Sequence, residues 1–186
     1  MIGLGRAAAV ALSTIALLLC GLFGASYLVS ALLDLPTHLG LPLAMRIAGG
    51  LLAVLGLSLA GWTFRHRRPS AMLLSTYVTL EKLFRRRPIS DPLGRAEPLV
   101  VSGLQRYTRN PLYLGVITMT LGWALAGDLT FVLIAVIALV LWFRAVLIPF
   151  EEKELLPLFG EQYEKYRDGV PMLVPFTKRK RRTKNR

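Results

Sequence analysis

The stretch that decides the fold runs from 112 to 148 and reads LYLGVITMTLGWALAGDLTFVLIAVIALVLWFRAVLI. Only Gly127 and Asp128 separate two apolar runs within it, 112–126 and 129–148. A helix needs about 20 apolar residues to cross roughly 30 Å of hydrocarbon. Because backbone polar groups cannot stay unpaired in lipid, each run must be helical. We therefore predict two membrane-spanning helices that a tight turn joins into an antiparallel hairpin.

Two further apolar runs precede this hairpin, at 7–33 and 41–64. Across the 186 residues, 54% are hydrophobic and only 18% are charged, which is too apolar for an ordinary soluble domain. The first run continues past any plausible cleavage point, so we interpret it as an uncleaved span rather than a signal peptide. The predicted fold class is all-α, a polytopic membrane protein with about four transmembrane helices.

The basic residues predict which side of the membrane each connector occupies. Ten lysines and arginines lie in 65–110 and ten more follow residue 148, whereas the connectors 34–40 and 127–128 contain none. Under the positive-inside rule, both termini and the long middle loop are cytoplasmic. The net charge of +12 therefore indicates topology and contact with membrane lipids, and nucleic acid is not a predicted partner.

We divide the chain into a two-span region at 1–94, a more polar and patterned region at 95–176 that contains the hairpin, and a basic tail at 177–186. The first region also contains a cytoplasmic helical face, which is predicted to lie at the membrane interface or to pack on the bundle. That face consists of Leu73, Tyr77, Leu80 and Phe84. A short cytoplasmic cap is predicted after the fourth span.

Metal chemistry finds little support in the composition. The one cysteine, Cys20, excludes a disulfide within the chain and a thiolate zinc cluster. Two histidines, His38 and His66, are too few for a multi-histidine site. No metal site is predicted.

Polar residues gather where the third span begins. Arg109 and Asn110 precede Pro111, which suits the first turn of a helix because its missing N–H has no partner to lose there. These side chains and the free amides of the helix start can hold a carboxylate or a phosphate. The alternative is that Arg106 and Arg109 only extend to the membrane interface.

Charged residues also mark the end of the fourth span. Glu151 and Glu152 follow it, and three-and-four spacing predicts that Arg144 and Ile148 share their helical face. Arg144 can then pair with either glutamate or bind an anionic substrate. Charges this close to hydrocarbon are costly and usually mark a paired or functional site.

Together these segments resemble the isoprenylcysteine carboxyl methyltransferase and phospholipid methyltransferase group of integral-membrane enzymes. The resemblance covers about 95–176. The residues that carry it, in order, are Gly103, RNPLYLG at 109–115, Glu151, Glu152, Leu155, Phe159, Gly160, Tyr163, Tyr166, Pro171 and Pro175. The resemblance implies S-adenosylmethionine-dependent methyl transfer on the cytoplasmic side, to a lipophilic methyl acceptor that enters from the bilayer.

The resemblance also implies which residues bind the cofactor. The set is Pro98, Leu99, Val100, Gln105, Arg109, Asn110, Pro111, Leu112, Tyr113, Gly115 and Glu151. Asn110 stands where a histidine is common in the family, and Gln105 stands where an aromatic residue is usual. Leu147 lies where the protein-prenyl enzymes have an arginine for the substrate.

Two residues are predicted to act on the acceptor, which the sequence does not identify. Methyl transfer is an in-line displacement that needs mainly proximity and alignment. Arg144 is the candidate for positioning a carboxylate acceptor, and Glu152 is the candidate base for an amine or a hydroxyl. The alternatives are an NADPH-dependent sterol-reductase-like membrane enzyme and a non-enzymatic membrane scaffold or small transporter.

Small residues in the second span leave the packing partner open. Gly49, Gly50, Gly56 and Ala60 permit close helix contact, either within one chain or between two. The sequence therefore makes no prediction of oligomeric state.

Overall fold

A computed structural model of the protein describes residues 4–66, 99 and 101–177. The described residues form α helices and no strand, which confirms the all-α prediction. The helices are α1 (Leu4–Leu32), α2 (Leu43–His66), α3 (Pro111–Gly127), α4 (Thr130–Trp142) and α5 (Ile148–Gly169). A 3₁₀ turn (Gly103–Arg106) precedes α3, and a π turn (Phe143–Leu147) joins α4 to α5.

Three helical stretches are long and apolar enough to cross a membrane: Ala8–Leu32, Leu43–Thr63 and part of Thr130–Gly169. The apolar helix α3 has 17 residues, or about 26 Å at 1.5 Å per residue, slightly less than the hydrocarbon core. The described residues thus contain three to four helices able to span a membrane, which confirms the polytopic helical class, while the predicted number of four and the orientation stay predictions.

The stretch Thr130–Gly169 is too long for one span, since 40 helical residues measure about 60 Å. Its apolar part ends near Phe150, and nine charged residues follow in 151–169. Gly160 has φ 50° and ψ −129°, which breaks the helix within this charged part. Only the first half is therefore suited to hydrocarbon. The predicted interfacial helix around Tyr77 and the tail from Lys178 lie outside the described residues.

Helices α2 and α3 pack backbone against backbone. Each of four glycines faces the other helix so closely that a Cβ would collide with main-chain atoms: Gly49, Gly56, Gly115 and Gly122. A Cβ on Gly49 would lie 2.6 Å from the Ala126 nitrogen, and one on Gly115 would lie 2.7 Å from the Ala60 nitrogen. The glycines repeat every seven residues on each helix, the period of a left-handed helix pair. Gly49, Gly56 and Ala60 of α2 thus serve packing within the chain, whereas Gly50 has no such contact among the described residues.

Asp128 ties the two short connectors together at one end of the bundle. It ends α3 in the left-handed conformation (φ 55°), which Asp and Asn adopt more readily than most residues. Its carboxylate accepts hydrogen bonds from three consecutive backbone N–H groups, those of Leu39 (3.1 Å), Gly40 (3.0 Å) and Leu41 (3.3 Å). His38 Nδ1 lies 2.9 Å from the Asp128 carbonyl oxygen. The α1–α2 connector is thereby fixed to the hairpin turn.

Arg46 is placed at this same end. Its Nε donates a hydrogen bond to the Ala126 carbonyl oxygen (3.2 Å) in the last turn of α3. A cation at a helix C-terminus satisfies an otherwise unbonded carbonyl and interacts favourably with the helix dipole. Because Ala126 and Pro111 lie at opposite ends of α3, Arg46 is remote from the polar residues around Arg109.

The glycine seam predicts a sharp difference between two neighbouring substitutions. We expect Gly56→Ala to lower the unfolding free energy by about 1–3 kcal/mol, because its Cβ would overlap the backbone of Met119. Gly50→Ala is the matched control, since no heavy atom of the described residues lies within 4 Å of a Cβ there. It should be neutral or stabilising by up to about 1 kcal/mol. Thermal unfolding in detergent measures both, and equal midpoints for the two variants would contradict the seam.

Candidate functional site

Two glutamates at the start of α5 meet the residues that open α3. The Tyr113 hydroxyl donates a hydrogen bond to Glu151 Oε1 at 2.7 Å. Arg109 Nη2 forms an ion pair with Glu152 Oε1 at 2.9 Å. The side chains of this pair are 5% and 15% exposed, so the charges are largely withdrawn from solvent. The fold thus brings together polar groups about 40 positions apart in the chain.

The start of α3 has an unusual cap. Pro111 occupies the first turn, as predicted, and Asn110 precedes it with φ −128° and ψ 62°. The Asn110 side chain makes no capping bond to the helix. Its Nδ2 donates instead to the Met172 carbonyl oxygen at 3.0 Å. Asn110 therefore connects the helix start to a distant segment.

That segment, 170–174, follows α5 and is called here the strap. Three hydrogen bonds join the strap to the loop before α3. The first is the Asn110 bond just described, and two others accompany it. Arg109 N–H donates to the Pro171 carbonyl oxygen at 3.0 Å, and Thr108 Oγ1 donates to that of Met172 at 3.3 Å. Leu173 is buried in the core below. The strap therefore holds the backbone and two side chains of the loop that carries Arg109.

A second tie links α5 to the 3₁₀ turn. The Tyr166 hydroxyl donates to the Gln105 carbonyl oxygen at 2.8 Å. Gln105 thus contributes its backbone to this contact, and its side chain is partly exposed. The C-terminal half of α5 and the strap together enclose the loop on one side.

The wall beneath Tyr113 is aromatic and apolar. The Tyr113 ring stacks on Phe143 with a centroid distance of 4.6 Å and an interplanar angle of 29°. Phe143 is 8% exposed and belongs to a buried cluster with Leu139, Ile148 and Leu173. One face of the Tyr113 ring is therefore occupied, while its hydroxyl reaches Glu151.

Two tyrosines in the charged part of α5 have raised pKa values. Burial and, to a lesser degree, the Glu152 charge raise the pKa of Tyr163 to about 12, against the lowering effect of Arg109 and Arg167. Burial likewise raises the pKa of Tyr166 well above its ordinary value. Both phenols are therefore neutral at physiological pH, and neither adds negative charge to the site.

Many of the predicted site residues lie in this region. Gln105, Arg109, Asn110, Tyr113, Glu151 and Glu152 all take part in the contacts above. Pro111 is buried at the start of α3, and Leu99 and Leu112 are partly buried. Gly115 faces the backbone of α2 at Ala60, so its lack of a side chain serves helix packing. Pro98 and Val100 lie outside the described residues.

Arg144 differs from Ile148 in its exposure. It lies in the π turn and is exposed, whereas Ile148 is completely buried. The predicted face shared by Arg144, Ile148 and the two glutamates stays a prediction, as does a role for Arg144 toward an acceptor. The observed cation at Glu152 is Arg109.

Sequence reasoning missed three contributors to the site. Phe143 and Met172 look like ordinary apolar residues in the sequence, and a backbone carbonyl such as that of Met172 carries no sequence signal. Glu154 is buried at 3% exposure, three residues after Glu151. Pro149 was the one available signal for the π turn, because proline disturbs the helical hydrogen bonds of the preceding turn.

These features define a class: helical membrane proteins in which an Arg-Asn-Pro loop at the start of one helix faces a pair of glutamates at the end of the next span. A family model for phospholipid methyltransferases matches residues 44–162, which include both helices of the glycine seam and the glutamate pair. The chain belongs to the phospholipid methyltransferase family.

Three curated proteins are similar to part of the chain. Protein-S-isoprenylcysteine O-methyltransferase of Schizosaccharomyces pombe is 40% identical over 79 residues, 41% of this chain and 33% of that protein. Methanethiol S-methyltransferase of Crocosphaera subtropica is 41% identical over 78 residues, 40% of this chain and 28% of that protein. Methanethiol S-methyltransferase 1 of Bradyrhizobium diazoefficiens is 36% identical over 77 residues, 39% and 25% of the two chains.

The matched stretch spans a third or less of each of these curated relatives. No solved structure matches the chain. The similarity therefore concerns one region of about 80 residues rather than whole proteins.

The buried ion pair predicts strong coupling between its two partners. We expect Arg109→Met to destabilise the protein by about 3–5 kcal/mol, because it leaves the Glu152 carboxylate without this cation in a poorly solvated place. The double variant Arg109→Met with Glu152→Leu should recover much of that loss. Thermal unfolding in detergent measures the double-mutant cycle.

The surface pair Lys165–Glu161 provides the control, with side chains 77% and 79% exposed. Lys165→Met should change the unfolding midpoint very little, since exposed ion pairs are well solvated. Additive effects at Arg109 and Glu152 would show that the pair contributes no interaction energy.

Proposed function

We propose that this protein is an S-adenosylmethionine-dependent methyltransferase that acts on a lipophilic acceptor at the cytoplasmic face of a membrane. The observation that carries the proposal is the meeting of Tyr113 with Glu151 and of Arg109 with Glu152, at 2.7 Å and 2.9 Å. These residues lie within the region matched by the family model. The names of the three similar proteins support methyl transfer as the reaction.

The donor and acceptor groups of the site fit this cofactor. S-adenosylmethionine supplies a methyl group on a positively charged sulfonium and also carries an ammonium group. Glu151 is only partly buried, and the hydrogen bond from Tyr113 does not neutralise its charge. A carboxylate in such a place attracts a cationic group strongly, because solvent screening is reduced there. Glu151 is therefore the proposed anchor for the cofactor's positive charge.

The loop before α3 is the proposed second side of the cofactor site. Leu99 and Leu112 are partly buried apolar groups that suit the adenosine moiety, with Pro98 and Val100 as further expected contacts. Arg109, Asn110 and Pro111 shape the loop, and the bonds to the strap hold it. Gln105 and Gly115 are the remaining residues of the expected set. Gly115 contributes by letting α2 pack closely against α3.

The placement of the lysines and arginines predicts which side of the membrane the site faces. The site lies at the end of α3 opposite Asp128 and Arg46, and it adjoins the two segments that contain twenty of the 23 lysines and arginines. The positive-inside rule places such segments in the cytoplasm. A multi-pass protein with both termini and the site on that side is the proposed arrangement.

The ion pair bears on which acceptor is methylated. Glu152 would have to give up its contact with Arg109 in order to act as a general base. A carboxylate acceptor needs no base, since it is a nucleophile at neutral pH. We therefore favour a carboxylate on a lipid or isoprenoid-linked molecule, with the exposed guanidinium of Arg144 drawing it to the site. The chain's part in the reaction is then to align the acceptor and to exclude water.

A thiol acceptor is the second candidate, because two of the similar proteins are named as methanethiol S-methyltransferases. A thiol must lose its proton before attack, so the Arg109–Glu152 pair would have to open. The two acceptors therefore make opposite demands on Glu152.

Cofactor binding should depend on Glu151 and less on Tyr113. We expect Glu151→Ala to weaken S-adenosylmethionine binding by about 10- to 100-fold and Tyr113→Phe by about tenfold, in line with the loss of charged and hydrogen-bonding contacts. Calorimetry on purified protein in detergent gives the dissociation constants. Glu161→Ala, an exposed glutamate of the same helix, is the control and should bind as the wild type does. A folded wild-type protein without affinity for S-adenosylmethionine would overturn the proposal.

Acceptor chemistry can be read from two variants. For a carboxylate acceptor, Arg144→Ala should raise KM for the acceptor about tenfold or more, as expected for the loss of a charged contact, and Glu152→Gln should retain most of kcat. For a thiol or an amine, Glu152→Gln should instead lower kcat. Transfer of a labelled methyl group to prenylated cysteine, short thiols and phosphatidylethanolamine, at several pH values, distinguishes these cases. An Arg144→Ala variant with unchanged KM would remove the assigned role of Arg144.

A further inference from the structure

The turn that joins α4 to α5 has a cause in the sequence. Its last hydrogen bond runs from the Ile148 N–H to the Phe143 carbonyl oxygen, five residues earlier. Pro149 follows immediately. Proline has no N–H to donate, and in a regular α-helix its ring would collide with the carbonyl four residues back, that of Ala145. Widening the preceding turn removes that collision, so Pro149 accounts for the π turn.

The wider turn connects the inner faces of α4 and α5. Phe143 follows the buried Leu139 by four residues, so it continues the inner face of α4. The hydrogen bond across the π turn joins residues five apart, and Phe143 and Ile148 are both buried, at 8% and 0% exposure. The π turn therefore brings Ile148, at the start of α5, onto the same side as the Phe143 ring.

That ring contacts the site directly. Phe143 stacks on Tyr113 at 4.6 Å, and the Tyr113 hydroxyl donates to Glu151 Oε1 at 2.7 Å. An offset stack restricts the tilt of both rings and contributes about 0.5–1.5 kcal/mol beyond burial. Because the hydroxyl is fixed to its ring, the tilt of the Tyr113 ring determines the position of the group that donates to Glu151 Oε1.

We propose that Phe143 is a positioning residue, located where α4 meets the π turn, which orients Glu151 for the cofactor through the ring of Tyr113. This inference rests on the proposed function, because it assigns Glu151 to the cofactor. π turns within α-helices are rare and occur frequently at functional sites. In this protein the π turn sets how α5, which carries Glu151, is rotated relative to Phe143.

Substitutions at Phe143 test the positioning role. Phe143→Leu keeps an apolar group but removes the stack, and we expect about tenfold weaker S-adenosylmethionine binding, comparable to Tyr113→Phe. Phe143→Tyr keeps the ring and should restore most of the affinity. Leu141→Ala, at a 60% exposed position of α4, is the control and should bind normally. The two binding deficits should not add, because Phe143 acts through Tyr113.

Pro149→Ala tests the turn itself. Alanine permits a regular α-helix, so the variant should unfold at an equal or higher temperature while it binds S-adenosylmethionine more weakly. Loss of affinity without loss of stability separates positioning from a general structural role. Weaker binding that merely follows a lower unfolding temperature would overturn the proposal, as would Phe143→Leu with wild-type affinity.

A measurement independent of the cofactor tests the inward placement of Phe143. In a Cys20→Ser background, Arg144→Cys should react with N-ethylmaleimide about tenfold faster than Phe143→Cys, because exposed thiols react more readily than buried ones. A Phe143→Cys thiol that reacts as fast as Arg144→Cys would overturn the inward placement of Phe143.

Cofactor affinity and thiol reactivity together distinguish a failure of the proposed function from a failure of the positioning role. If wild-type protein binds no S-adenosylmethionine, the proposed function fails and the positioning role fails with it, while the thiol reactivity still tests the inward placement of Phe143. If wild-type protein binds the cofactor and Phe143→Leu binds equally well, only the positioning role fails.

Discussion

The contact between the backbones of α2 and α3 is the constraint on which the site depends. Four glycines at seven-residue spacing bring the two helices so close that no side chain fits between them at these points. Lipid offers little hydrophobic driving force for helices to associate, so close packing of small residues is what holds such a pair. The seam determines the position of α3, and hence where its first turn presents the Arg109 loop and Tyr113.

At the opposite end of α3 from that loop, the connectors are stabilised by hydrogen bonds rather than by apolar packing. Asp128 accepts from three backbone N–H groups of the α1–α2 connector, and Arg46 bonds to the last turn of α3. Connectors next to a membrane contain backbone groups that must find partners. A single carboxylate and a single guanidinium supply several of them, so this end of the bundle is a structural clasp, opposite the proposed site.

The site is held together by one ion pair and two hydrogen bonds. They connect three separate parts of the chain: the loop with α3, α5, and the strap. Arg109 pairs with Glu152, Tyr113 bonds to Glu151, and the carbonyl of Met172 accepts from Asn110. Each contact joins α3 or the loop before it to α5 or to the segment after α5. Such cross-links keep charged groups satisfied in a poorly solvated place, where a lone charge would be expensive. They also explain why the motif residues are spread over about 70 positions.

The all-helical membrane fold, the hairpin and most polar residues of the site were predictable from the sequence, because hydrophobic run length and charge placement are local properties. The order of the Arg-Asn-Pro-Leu-Tyr loop and the glutamate pair also pointed to the family. The partners of these residues depend on packing between distant segments, so they became known from the three-dimensional arrangement alone. Gly49 and Gly56 of α2 face α3, Asn110 reaches the strap, and Arg109 meets Glu152. Periodicity within one helix does not predict these contacts, because each of them joins segments that are distant in the sequence.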